Sequence, residues 1–328
     1  MTQAVTDPEV MLEPLRLDKS GPRVVALGGG HGLAIALEAA QSYAGSITAV
    51  VTVSDDGGSS GRLSGDFGIP PPGDIRRCLL ALSPEPTVWG EVFAHRFAIG
   101  DVAGHSMGNL VLATLSELLG GFDSAVRAAE AMLQTVGHVI PVAGERLIME
   151  ARVAGSTVVG QAEITRARGG IESLTLVPQD VTASPDALEA IAAADQIILG
   201  PGSLYTSVLS VLVVPGIAEA VNASRAQRVA VLNLITQDGE TLGMKALDHL
   251  DVIGRLGGIG GGAVIVHQGP LAVPPGHDQL FLDGDEAAAL GWEMTEARVD
   301  DPEAGWPQHD PIRLGEVLSA LAGERRSG

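Results

Sequence analysis

Twice in this chain an apolar run empties into a glycine turn that opens a helix, at LGGGHGL (27–33) and at GPGSLYTSV (200–208). Glycine lets the backbone bend sharply and come close to a neighbour or a ligand. A strand feeding a helix through such a turn is the unit from which parallel sheets are built. Two of these units, 170 residues apart, point to an α/β protein in which both turns lie at the carboxyl ends of strands. Together they are expected to border one cleft, where open α/β sheets bind ligands.

The patterning around the turns supports this reading. Arg23 to Leu27 is a short apolar run, Leu33 to Ser42 carries helical spacing, and Ser46 to Val53 is rich in β-branched residues, giving β-α-β. Helical patterns at 75–82, 88–97, 109–119 and 124–136 predict an all-helical insert over about 75–136. Extended pieces at 147–153, 157–164 and 171–177 predict a small antiparallel β-meander. From Pro185 the helix and strand alternation resumes and runs to His267. Beyond Gln268 the pattern weakens, leaving a C-terminal segment 269–328 with one late helix at 312–321. Residues 1–21 carry acids, prolines and short apolar pieces, and are expected to be a disordered tail.

Charge and cysteine narrow the function. The 328 residues carry a formal net charge of −20, so a grip on nucleic acid through clustered basic residues is not expected. Any phosphate site must work locally, through backbone N–H groups, a few arginines or a metal ion. The single cysteine, Cys78, sits in an apolar helical pattern and reads as core; one cysteine excludes an internal disulfide and fits a reducing compartment, the cytosol. No apolar run reaches the roughly 20 residues of a membrane helix, so no membrane insertion is expected. The eight histidines do not cluster in a zinc pattern.

Five loops carry candidate chemistry. Gly28, Gly29, Gly30, His31 and Gly32 offer N–H groups at a helix start. In VSDDGGSSGRL (53–63), read as a loop, Asp55 and Asp56 suit ribose hydroxyls or a divalent cation, and Ser59, Ser60 and Arg62 suit phosphate. In PPPGDIRR (70–77), Gly73 precedes Asp74, which stands at a helix N-cap position or serves as a second metal carboxylate facing Asp55. Gly200, Gly202, Ser203, Thr206 and Ser207 form the second phosphate loop, and NLITQDGET (233–241) adds polar groups. GHSMG (104–108) has the form of a hydrolase nucleophile elbow around Ser106, but the preceding FAIGDVA is too short and polar for the elbow strand.

Taken in order, GGGHGL, VSDDGGSSGRL, PPPGDIR, GHSMGNL, GPGSLYTSV and TQDGET resemble the motifs of the YvcK-like gluconeogenesis factor family, over about 23–267. That family is distantly similar to CofD, the 2-phospho-L-lactate transferase. The resemblance implies a Rossmann-like, doubly wound, mainly parallel sheet and a core domain over 22–268. It implies a cytoplasmic protein that binds a nucleotide sugar such as UDP-N-acetylglucosamine and links carbon source to cell-wall synthesis and cell shape through a protein partner. Homo-oligomerisation is expected. GHSMGN matches a family element in which His105 and Asn109 are cleft or loop-fixing residues.

The chain departs from the family pattern at His31, where threonine is common, and at Ser210 and Asp238, where proline is usual. Gln308 stands in place of an arginine before His309 and Asp310. The alternative function is a Mg-dependent, CofD-like transferase with Asp55 and Asp74 on the metal. An NAD-dependent oxidoreductase is disfavoured because Leu33 and Ile35 occupy the third position of either dinucleotide fingerprint.

Overall fold

The computed structural model describes residues 20–54, 57–84, 87–167 and 170–324. Strand β1 (Arg23–Gly28) leads into helix α1 (Gly30–Ala40), and β2 (Ser46–Val51) pairs parallel with β1. β1 is buried after its first residue, as a strand covered on both faces must be.

Five helices follow: α2 (Gly58–Phe67), α3 (Pro72–Ala81), α4 (Val88–Ala94), α5 (Met107–Leu119) and α6 (Phe122–Leu133). The helical insert thus reaches back into the segment read as a loop, and 58–63 is corrected to helix. Its three glycines and three serines give weak helix propensity, which tertiary burial of Ser59, Ser60, Leu63 and Ser64 overrides. Asp55 and Asp56 lie outside the described residues, as does most of the N-terminal tail.

Then come β3 (His138–Pro141), β4 (Ile148–Val153), β5 (Ser156–Val159), α7 (Gln161–Ala167), β6 (Ile171–Val177), α8 (Pro185–Ala193) and β7 (Gln196–Leu199). A π-helical turn, Leu204–Leu209, runs into α9 (Ser210–Leu212). The chain continues through α10 (Ile217–Ala223), β8 (Gln227–Val231), α11 (Ala246–Arg255), β9 (Gly262–His267), α12 (Gly284–Ala289), β10 (Trp292–Ala297) and α13 (Pro311–Glu324).

Seven strands form one parallel sheet in the order β10-β9-β8-β7-β1-β2-β3. From β1 the chain winds outward to β2 and β3, then returns to β7 and winds the other way to β10. The direction reverses between β1 and β7, and a doubly wound sheet opens its ligand crevice at that point. Strands β5, β4 and β6 form the separate antiparallel sheet, with β4 central.

Apolar clusters fill both faces of the main sheet. Val25, Leu27, Leu199 and Leu209 belong to one; Ala26, Leu33, Val51, Leu79 and Leu318 belong to the other. Cys78 is fully buried in the second, and burial pushes its thiol well above the ordinary range. The weakly patterned segment after Gln268 supplies the edge strand β10 and the helix α13, which packs on α1. Among the described residues no single helix is long and apolar enough to cross a membrane.

Candidate functional site

The two glycine turns meet at the switch point. A β-carbon on Gly32 would lie 2.4 Å from the Pro201 carbonyl oxygen and 2.8 Å from the Gly202 Cα, and one on Gly202 would lie 3.4 Å from the Gly29 oxygen. Only glycine permits that approach. Ser207 Oγ lies 3.8 Å from the β-carbon position of Gly30, so it faces the first turn. The extended Gly29 backbone leads straight into α1, whose first-turn N–H groups and dipole favour an anion.

Two residues of the NLITQDGET loop, Asn233 and Glu240, hold the second turn in place. Asn233, just past β8, accepts from Gly202 N through Oδ1 at 3.2 Å and donates to Gly202 O through Nδ2 at 2.9 Å. Glu240 accepts from Tyr205 N at 3.1 Å and from the Thr206 hydroxyl, and a bond from Ser203 also favours its charged form. Burial nonetheless raises the Glu240 carboxyl above its ordinary value. The carboxylate therefore occupies the amino end of the π-helical turn. Thr206 and Ser203, expected to meet phosphate, bond to this carboxylate in the structure.

Ser210 ties the two halves further: its Oγ sits 2.9 Å from Thr52 Oγ1, at the end of β2. A proline has no hydroxyl with which to make that link.

Between the turns and the C-terminal segment lies a cleft of about 550 Å³, a volume in the range of small-molecule sites. His31, Gly32 and Pro201 border it on one side, Asn233 and Gln237 on another, and Trp306 and Gln308 at the rim. Gln237 Oε1 is buried with no hydrogen-bond partner among the described residues. Trp306 is half exposed and meets His277 edge-on, with ring centroids 5.2 Å apart. His309 is buried and holds the rim to the sheet through Nε2 and the Leu232 oxygen at 3.1 Å. A cavity of about 670 Å³ also opens at the other end of the sheet, by the Arg23–Asp195 ion pair. It touches neither turn, so the switch-point cleft is the candidate site.

Asp74 stands on the opposite flank of Gly29. It lies in the first turn of α3, whose N-cap is Pro71, so Asp74 is not the cap. Its Oδ2 would sit 2.5 Å from a β-carbon on Gly29, and Thr52 Cγ2 would sit 2.6 Å from it. Asp74 also pairs with Arg77. Gly73 is buried beside it.

Ser59, His105 and Asn109 form a network with Arg76: Ser59 Oγ is 3.0 Å from His105 Nδ1, Asn109 Nδ2 donates to Ser59 Oγ at 3.2 Å, and Arg76 Nε donates to Asn109 Oδ1 at 3.1 Å. Ser60 is buried on α2, while Arg62 is exposed and reaches Ala103 O at 3.4 Å. Ser106 occupies the N-cap position of α5, fully buried, with no cap bond and no partner for its Oγ among the described residues. Among the described residues no strand leads into it and no histidine bonds it, so GHSMG does not have the form of a nucleophile elbow.

Residues 24–287 match the model of the family described as 2-phospho-L-lactate transferase CofD. A gluconeogenesis factor of Bacillus subtilis is 42% identical, the match covering 92% of this chain and 99% of that protein. A putative gluconeogenesis factor of Nostoc is 40% identical over 98% of this chain and 73% of its own length. A crystal structure of a UPF0052-family protein from Bacillus halodurans superposes with a TM-score of 0.86 at 37% identity, covering 90% of this chain and 98% of the other. A parallel sheet that switches at two interlocked glycine turns, and a match over nearly the whole chain, place this protein in the CofD family, among its YvcK-like gluconeogenesis factors.

Proposed function

We propose that the chain is a regulatory protein that binds a nucleotide sugar of the UDP-N-acetylglucosamine type and thereby links gluconeogenic growth to cell-wall synthesis and cell shape. The observation that carries this is the contact of Gly32 with Pro201: it sets a helix N-terminus, with its N–H groups, at the mouth of a cleft that mixes apolar walls with the polar groups of Asn233 and Gln237 and is large enough for a nucleotide. The diphosphate rests on Gly29 to Gly32, and the base and ribose lie toward Gln237 and Trp306. The C-terminal rim closes on the ligand and presents an altered surface to a cytoplasmic protein partner in cell-wall synthesis, in a homo-oligomer.

The position of Asp74 beside Gly29 supports a second reading, a CofD-like transferase in which a nucleotide donor gives up a phospholactyl-type group to an alcohol. Asp74, with Asp55, would hold Mg²⁺, which neutralises phosphate charge. Calorimetric titration with UDP-N-acetylglucosamine, UDP-glucose, GDP and NAD, each with Mg²⁺ and with chelator, separates the two. Tight UDP-sugar binding without product supports the regulator. A preference for GDP that requires Mg²⁺ supports the transferase.

A further inference from the structure

Arg62, Arg76 and Arg96 gather around one turn, residues 103–109. Arg62 donates to Ala103 O at 3.4 Å, Arg96 to Gly104 O at 2.6 Å, and Arg76 to the Asn109 amide oxygen at 3.1 Å. Arg76 is only 7% exposed. None of the three has a carboxylate among the described residues within ion-pair distance, whereas Arg23 pairs with Asp195, Arg152 with Glu172 and Arg313 with Asp300. In a chain with twice as many acids as bases, three guanidinium groups share one turn with no ion-paired carboxylate among the described residues, Asp74 acting on Arg76 only from beyond ion-pair distance, and such a turn suits an external anion.

The energetics point the same way. Burial, then the charges of Arg77 and Arg96, lower the Arg76 guanidinium to about 10, with Asp74 acting in the opposite direction, so its positive charge is costly without an ion-paired carboxylate. His105 is lowered too, by burial first and then by Arg62, with Asp66 acting in the opposite direction. A bound carboxylate would relieve these repulsions with charge-assisted, bidentate hydrogen bonds, for which guanidinium geometry is suited.

Helix α3 joins this cluster to the phosphate turn: its Asp74 touches Gly29 and its Arg76 belongs to the cluster. A diphosphate on Gly29 to Gly32 already has its N–H donors, and the Asp74 carboxylate disfavours phosphate on this flank. An anion that fills the arginine cluster is therefore a group separate from the diphosphate.

We propose that Arg62, Arg76 and Arg96 form a subsite for a carboxylate carried on the sugar, so that the protein prefers acidic nucleotide sugars to neutral ones. This rests on the nucleotide-sugar function proposed above. UDP-glucuronate and UDP-glucose differ only in a carboxylate for a hydroxymethyl group at the sugar's C6, and calorimetry on the full chain compares them directly. The expected result is about tenfold tighter binding of UDP-glucuronate, an advantage that shrinks as salt rises. Arg96→Gln, at an exposed position, should cut that advantage at least about threefold, with the melting temperature unchanged.

Equal affinity for the two ligands in the wild type, or an advantage that survives Arg96→Gln in full, overturns the subsite while leaving nucleotide-sugar binding intact. Binding of neither ligand removes the nucleotide-sugar function, and the subsite with it.

Discussion

Gly32 and Pro201 are so close that the smallest side chain on Gly32 would meet the Pro201 carbonyl oxygen at 2.4 Å. Gly32→Ala must push the two turns apart, and overpacking of this kind costs about 1–3 kcal/mol. Since the same contact shapes the mouth of the cleft, ligand affinity should fall as well. Gly65→Ala is the control: it lies inside α2 with only Arg146 Nη1 near, at 4.0 Å, and should stabilise by about 0.5–1 kcal/mol. Thermal melts of the two variants should move in opposite directions.

Glu240 gives a pH signature. Its folded carboxyl is raised above the ordinary 4.5, chiefly by burial. A raised folded value means stability that is fully present below pH 4.5 and is lost as pH climbs through the folded value. Glu240→Gln removes that titration, so the wild type should lose stability relative to the variant as pH rises from 4.5 toward neutrality. Urea melts across that window check it; a stability difference that stays flat would show that the carboxylate pays no burial cost.

His309 behaves in the opposite sense. Burial lowers its imidazole from 6.5 to about 4, against the raising effect of its bond to the Leu232 oxygen. Stability is then complete above pH 6.5 and is lost as pH falls toward 4, by about 3 kcal/mol for such a shift. His249, buried and also lowered to about 4, adds to the slope. His309→Gln should flatten part of the acid limb. Because His309 anchors the segment carrying Trp306 and Gln308, ligand affinity of the wild type should weaken over the same acid range, and calorimetry at pH 7 and pH 5 reads it.

The parts of the fold legible in the sequence are those with dense local signals. The β1-α1-β2 opening, both glycine turns and the buried Cys78 follow from short apolar periods and glycine placement. The edge strands β3 and β10 were hidden for different reasons. HVIP is four residues long and ends in proline, and WEMTEA mixes apolar, polar and charged residues without strict alternation in a weakly patterned tail. The supports of the site lie in a loop the sequence marked as polar, NLITQDGET, but their partners were not legible. Asn233 bonds Gly202 from 31 positions away and Glu240 reaches Tyr205 from 35; no periodicity marks such a partner. Arg76, Asn109 and Ser59 come together only because α2, α3 and α5 pack against one another.

Trp306 tests where the ligand lies. It is 52% exposed at the cleft rim, with one edge contact to His277, so truncation costs the fold little. If a base packs on it, Trp306→Ala should weaken nucleotide binding by about 1–2 kcal/mol, the scale of aromatic contacts, without shifting the melting temperature. An unchanged dissociation constant would place the base elsewhere.

Ser106 separates two accounts of GHSMG. Its hydroxyl is buried, has no partner among the described residues and makes no cap bond at the start of α5. An unsatisfied buried hydroxyl costs about 1–3 kcal/mol, so replacing it with a methyl group removes a penalty and leaves the helix start intact. Ser106→Ala should match or exceed the wild-type melting temperature, and UDP-sugar affinity should be unchanged. A hydrolase would behave differently, since loss of the nucleophile abolishes turnover whatever happens to stability. Incubating both forms with a p-nitrophenyl ester therefore gives a direct answer: equal background rates are expected, and a wild-type rate that vanishes in Ser106→Ala would restore the nucleophile.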